Sequence, residues 1–212
     1  MFQDRIHAGV ELAKKLQQYR NNPEAVVVAL PRGGVPVGYE VAERLGLPLD
    51  IVCPRKIGAP HNPEFAIGAI TETGEGLLNE EIIERIGVSK EFLQEAIEKE
   101  TQVAKRRLQE YRLGLGKRDF MGKIILLVDD GLATGSTMKA AIVSLRAEGA
   151  KKIIAAVPVS APDTAEQIEE LADELVCLST PSFFQAVGQF YENFSQTSDE
   201  EVIALLKARS LP

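Results

Sequence analysis

Residues 124–137 read IILLVDDGLATGST: five apolar residues run straight into two carboxylates, Asp129 and Asp130, and then into Thr134, Gly135, Ser136 and Thr137. A single aspartate after a strand commonly caps the next helix. Two adjacent ones raise each other's pKa and need a partner, either a ligand rich in hydroxyls or a bound cation. Downstream, four residues offer successive backbone N–H groups and three hydroxyls at the start of an apparent helix. Unpaired donors and the helix dipole make such a turn a ready anion site. Gly135 lets the backbone come close to the anion's oxygens. A diol at one end and a phosphate at the other describe a ribose 5-phosphate.

A second group lies in ALPRGGVPVG (29–38), where Arg32 stands beside Gly33 and Gly34. The glycines fit a tight turn; with Arg32 they also offer a cation and exposed N–H groups to a second phosphate cluster. Arg55 and Lys56 form a third group, in CPRKIGAPHNPEFAIGAI (53–70). Other phosphate and catalytic signatures are missing. The chain has no Gly-x-x-x-x-Gly-Lys-Ser/Thr and no Gly-x-Ser-x-Gly, and no Gly-x-Gly-x-x-Gly follows the first strand.

The elements that would hold these groups alternate. A helix is expected over 9–20, a strand over 25–30 and a helix over 35–46, followed by a strand over 47–53. Residues 54–80, with four Gly and three Pro, read as loops and short strands. A long charged helix over 88–114 has Ser89 as N-cap. Then come a strand at 123–130, a helix at 134–150, strands at 151–159 and 174–179, and between those two a helix capped by Ser160 with Pro162 in its first turn. A last helix opens at Ser198, with Glu201 completing a capping box. Strand–helix alternation predicts an α/β, doubly wound, mainly parallel five-stranded sheet flanked by helices, whose ligands bind at the strands' carboxyl ends. Each unusual motif falls at such an end.

The 212 residues suit a single domain over 1–212, with a core at about 20–70 and 120–180, a helical insertion at 80–115 and a tail at 180–212. The formal net charge of −7 argues against a nucleic-acid partner. No apolar run reaches the roughly 20 residues of a membrane span, and the N-terminus is not a signal peptide, so no membrane partner and a cytoplasmic location are expected. Cys53 and Cys177, both in apolar runs, read as buried free thiols.

VDDGLATGST resembles the PRPP (phosphoribosyl diphosphate) signature of type I phosphoribosyltransferases. The resemblance implies that Asp129 and Asp130 hold the ribose hydroxyls and that Ala133, Thr134, Gly135, Ser136 and Thr137 hold the 5-phosphate. It implies that Arg32, Gly33, Gly34, Arg55 and Lys56 meet the pyrophosphate, with a non-proline cis peptide near Arg32–Gly33. It further implies that Mg²⁺ arrives as Mg-PRPP, touching the two aspartates only through hydroxyls or water, and that the chain is a homodimer. The catalytic set is then Asp129, Asp130, Arg32, Lys56 and, by similarity to the lid of adenine phosphoribosyltransferases, Glu64. Residues 57–66 suit a mobile lid; His61 there reads as a loop residue.

Ala133 stands where 6-oxopurine enzymes usually carry an aspartate, which counts against hypoxanthine or guanine and leaves the acceptor base unnamed. An aromatic hood at 180–195, with Phe183, Phe184 and Tyr191, is the candidate base cover, together with the long helix; such a cluster more often simply packs the last helix to the body. The long helix and the tail differ from the well-known salvage enzymes and are similar to an uncharacterised branch of the fold, sometimes met as a domain beside a hydrolase. The expected activity is transfer of the phosphoribosyl group of PRPP to a nitrogenous base; a non-catalytic PRPP sensor is the alternative.

Overall fold

A computed structural model describes residues 1–209. Asp4 caps α1 (Arg5–Lys15), accepting a hydrogen bond from His7 N–H at 2.8 Å. This cap starts the helix four residues before the expected position. β1 (Ala25–Ala29) is buried throughout, as its β-branched run requires. It leads to α2 (Gly34–Leu45), which ends at Gly46 in the left-handed conformation. β2 (Leu49–Ile51) is shorter than expected.

Residues 54–80 are more ordered than their glycines and prolines suggested. β3 (Arg55–Ala59), β4 (Asn62–Ile70) and β5 (Gly76–Leu78) form an antiparallel sheet of their own, in the order β3-β4-β5. Residues 57–66, expected to suit a mobile lid, lie in a hairpin turned at His61 with φ 63°. Register shifts at Ile57/Gly58 and Gly58/Ala59 break the strand alternation that a sequence reading depends on. Asn79 then caps a short α3 (Glu80–Arg85), separated by Gly87 from α4 (Lys90–Tyr111), which Ser89 caps as expected. The insertion at 80–115 thus holds two helices. α4 packs against β3 and β4, and Leu93, Ala96 and Ile97 complete a small core around Ile57, Ile67, Ile70 and Ile83.

The main sheet gains β6 (Ile124–Val128), β7 (Lys152–Val159) and β8 (Glu174–Ser179), linked by α5 (Ser136–Ala147) and α6 (Pro162–Glu169). Its order is β2-β1-β6-β7-β8 and every pairing is parallel. Alternate strand residues face opposite layers. Val27, Ala29, Leu126 and Val128 join α1, α2 and α7 (Asp199–Arg209). Val26, Val28, Ile125 and Leu127 join α5 and α6. This is the expected five-stranded, doubly wound α/β sheet.

Two cap expectations resolve differently. Ser160 does not cap α6: its hydroxyl donates to Ala161 O at 2.9 Å, and Ala161 is the N-cap, with no side-chain bond. Ser198 does accept from Glu201 N–H, at 3.2 Å. Of the cysteines, Cys53 is buried and Cys177 half-buried, both as free thiols. The end of the expected tail, 210–212, lies outside the described residues. Among the described residues no helix is long and apolar enough to cross a membrane.

Candidate active site at the switch point of the sheet

Strand order reverses between β1 and β6, because β1 leads outward to β2 and the chain then returns to the other side. Doubly wound sheets bind ligands in the crevice at such a point. The turns leaving these two strands are the ones that carry the Arg32–Gly34 group and the Asp129–Thr137 group. Leu30 N–H bonds Val128 O at 3.0 Å and keeps the two strand ends in step.

Asp129 and Asp130 follow β6 directly, and Asp130 N–H donates to Asp129 Oδ1 at 2.9 Å. Burial, then the neighbouring Asp130 charge, pushes the Asp129 carboxyl well above the usual aspartate range. Burial also raises Asp130, opposed by the Arg5 guanidinium.

Downstream, Leu132 bridges to Ser160, and Ala133 O accepts the Thr164 hydroxyl at 2.6 Å. These bonds fix the loop to β7 and α6. Gly135, at φ 66°, is the N-cap of α5, and a Cβ there would meet Thr164 Cγ2 at 2.7 Å. Only glycine suits that position. Thr134 and Ser136, their hydroxyls 3.3 Å apart, line a cleft of about 760 Å³ with Lys56, Phe65 and Lys139.

The Arg32–Gly34 turn lies against the aspartates. A Cβ at Gly33 would run into Asp130 Oδ2; one at Gly34 would stand 2.8 Å from Val128 O and 3.0 Å from Asp129 Oδ1. The two glycines are therefore required by close approach. The non-proline cis peptide is at Pro31–Arg32, one bond before the expected place. Arg32 stands 3.7 Å from Asp199 at the start of α7. Arg55 is engaged by α4, its Nε 2.8 Å from Glu100. Lys56, next along β3, is exposed and faces the cleft. Glu64 falls within β4; its side chain lies outside the described residues.

The aromatic tail divides. Phe183 is exposed, and Phe184 packs on Phe190 at 5.2 Å between ring centroids. Tyr191 is buried and donates its hydroxyl to Asp130 O at 2.6 Å. Its ring lies between Phe2 and Phe194, so it supports the acidic pair from behind. Val187 packs where a Cβ on Gly131 would stand. Tyr191 and Val187 bring the segment against Asp130 and Gly131, and its regular structure is a 3₁₀ turn at Val187–Phe190.

Sequence reasoning missed Arg5. From the first turn of α1 its Nε and Nη2 each lie 2.8 Å from Asp130 Oδ2. The two residues are 125 positions apart in sequence, and no local pattern links them.

Residues 3–195 match the sequence profile of the phosphoribosyl transferase domain. A Mycobacterium tuberculosis protein (strain CDC 1551 / Oshkosh), provisionally named a phosphoribosyl transferase, is 44% identical over 206 residues, 97% of this chain and 46% of its own length. The chain thus spans about half the length of the curated relatives it matches. Among solved structures, TT1426 from Thermus thermophilus shares 41% identity with a TM-score of 0.84, covering 99% of both chains. AQ2163 from Aquifex aeolicus has a TM-score of 0.53 at 14% identity, covering 98% of this chain and 87% of its own, and shows the shared fold. With the profile spanning nearly the whole chain and the acidic pair and phosphate turn set at the sheet's switch point, this protein belongs to the type I phosphoribosyltransferase family.

Proposed function

We propose that the chain binds PRPP and transfers its phosphoribosyl group to a nitrogen nucleophile, releasing pyrophosphate. The supporting observation is the meeting of three groups in one crevice: the acidic pair, the hydroxyl-bearing N-terminus of α5, and the Gly33-Gly34 backbone packed on the pair. Asp129 and Asp130 would accept the ribose hydroxyls. Thr134, Gly135, Ser136 and Thr137, with Ala133 leading into them, would hold the 5-phosphate. In the reaction, the acceptor nitrogen bonds to C1 as the C1–O bond to the diphosphate breaks. The diphosphate leaves with the electron pair, and the nitrogen loses a proton.

Charge grows on that leaving group, so Arg32, Arg55, Lys56 and the Gly33-Gly34 N–H groups would lower the barrier there. The acidic pair would lie near the positive face of the sugar. The β3-β4 hairpin, with Lys56 and Phe65 on the cleft, would exclude water that hydrolyses the activated sugar. Among the described residues no three His, Cys, Asp or Glu side chains come together as a metal cage. Asp129 and Asp130 would meet a Mg²⁺ carried by PRPP through hydroxyls or water, and the ion would supply positive charge to the departing diphosphate.

A second reading, a PRPP-binding sensor without turnover, is favoured by the ion pairs that already occupy Arg55 and Asp130. The test is to incubate the protein with PRPP, Mg²⁺ and each common base and to measure pyrophosphate. Release with one base supports the transferase. Tight PRPP binding without release for any base supports the sensor, and no PRPP binding overturns both.

A further inference from the structure

We infer that Arg5 is a positioning residue of the donor-sugar site, holding one oxygen of Asp130 so that the other is presented to a ribose hydroxyl. The inference rests on the PRPP reading and adds a residue that lies outside the motif. Both Nε and Nη2 converge on Asp130 Oδ2 at 2.8 Å, which leaves Oδ1 outside the pairing. The guanidinium is itself fixed from two further directions. Nη1 donates to Ser195 O at 2.6 Å, and the group lies over the Phe194 ring at 3.9 Å from its centroid. Tyr191, four residues before Ser195, bonds the Asp130 carbonyl. Gly33 covers the contact: a Cβ there would meet both Asp130 Oδ2 and, at 3.2 Å, Arg5 Nε.

A planar fork with three nitrogens committed in fixed directions orients a carboxylate in a way a single ammonium does not. The side chains of Arg5 and Asp130 are only 12% and 14% exposed, so water does not replace the missing partner freely. Arg5 thus differs from a surface ion pair, which holds no geometry. It touches the carboxylate and not the ligand, and acts through Asp130.

Isothermal titration of the full chain tests this, using ribose 5-phosphate, PRPP and inorganic pyrophosphate as probes with wild type, Arg5→Met and Arg5→Lys. Arg5→Met is expected to weaken ribose 5-phosphate and PRPP about tenfold and to leave pyrophosphate within about twofold. Arg5→Lys is expected to recover part of the loss. In an Asp130→Asn background, Arg5→Met should add little further loss, because the two act as a unit. Unchanged or tighter ribose 5-phosphate binding in Arg5→Met would overturn the inference, the tighter case marking Arg5 as a plug. An equal loss of all three probes would also overturn it, reducing Arg5 to a general structural role. Wild type that binds neither ribose 5-phosphate nor PRPP would overturn the PRPP reading itself, and this inference with it.

Discussion

The two halves of the proposed PRPP crevice, one for the sugar phosphate and one for the leaving group, are built by opposite means. The sugar half is contiguous: from Asp129 to Thr137 one strand end, one turn and one helix start supply the carboxylates, N–H groups and hydroxyls. The leaving-group half is assembled from a distance. Arg32 leans toward Asp199 of α7, and Arg55 is held by Glu100 of α4. Backbone groups in a fixed turn need no rearrangement to meet a phosphate. Side-chain cations resting on carboxylates must exchange partners first, at the cost of the pairs they leave. The contrast teaches that donor affinity should rest mainly on the sugar half, while the diphosphate competes with the protein's own acids.

The largest expected effect breaks the link between the regions. Arg118 lies 2.5 Å from Glu72, at the root of the hairpin sheet, and 3.0 Å from Glu148, just after α5. Arg118→Met leaves two carboxylates without their cation and should cost about 3–5 kcal/mol in chemical denaturation. A loss below 1 kcal/mol would mean that the hairpin is not riveted to the phosphate helix. Next, Asp129→Asn with Asp130→Asn should lower PRPP affinity about 100-fold, close to 2.7 kcal/mol; unchanged affinity would mean that the acidic pair does not hold the sugar.

Asp129→Asn alone should raise the melting temperature of the ligand-free chain. With its folded pKa above the unfolded value, the Asp129 carboxylate destabilises at neutral pH, and that penalty fades as pH falls through the raised folded value. A wild-type stability that fell, relative to Asp129→Asn, between pH 7 and 5 would contradict the sign. Smaller again, Gly135→Ala places a side chain at φ 66° and against Thr164. About 1–2 kcal/mol of strain should appear as lost stability in chemical denaturation; an unchanged midpoint would show that the turn accommodates a side chain. The smallest change is Glu100→Gln, which releases Arg55 and should tighten pyrophosphate about threefold. Equal affinity in mutant and wild type would show that Arg55 is not withheld from the leaving group.

What the sequence made legible follows the same division. The acidic pair, the Gly135 turn and the Arg32-Gly33-Gly34 turn are local patterns at the ends of apolar strands, and β1, β6, β7 and β8 are found where the short apolar runs fall. The hairpin sheet was obscured because Gly58, Pro60, Pro63 and a bulge erase the period-two signal. α3 was lost beside its longer neighbour, although Asn79 with Glu80 and Glu81 is a visible helix start. Ser160 has the right chemistry for a cap, but its hydroxyl turns to Ala161 O. Arg5 and Tyr191 reach Asp130 only through the tertiary fold, and no spacing in a linear chain encodes that.

Phe2 pairs with Tyr191 across the first and last parts of the fold, and Arg5 with Ser195. The ribosome makes Asp130 long before it makes Ser195, so during synthesis the carboxylate emerges while half of its setting is still untranslated. Ordered presentation of Asp130 would then wait on the segment that carries Tyr191 and Ser195. Stalled nascent chains released from the tunnel, ending before Tyr191 or carrying α7, should differ in ribose 5-phosphate binding by at least the roughly tenfold expected when Asp130 is not held in place.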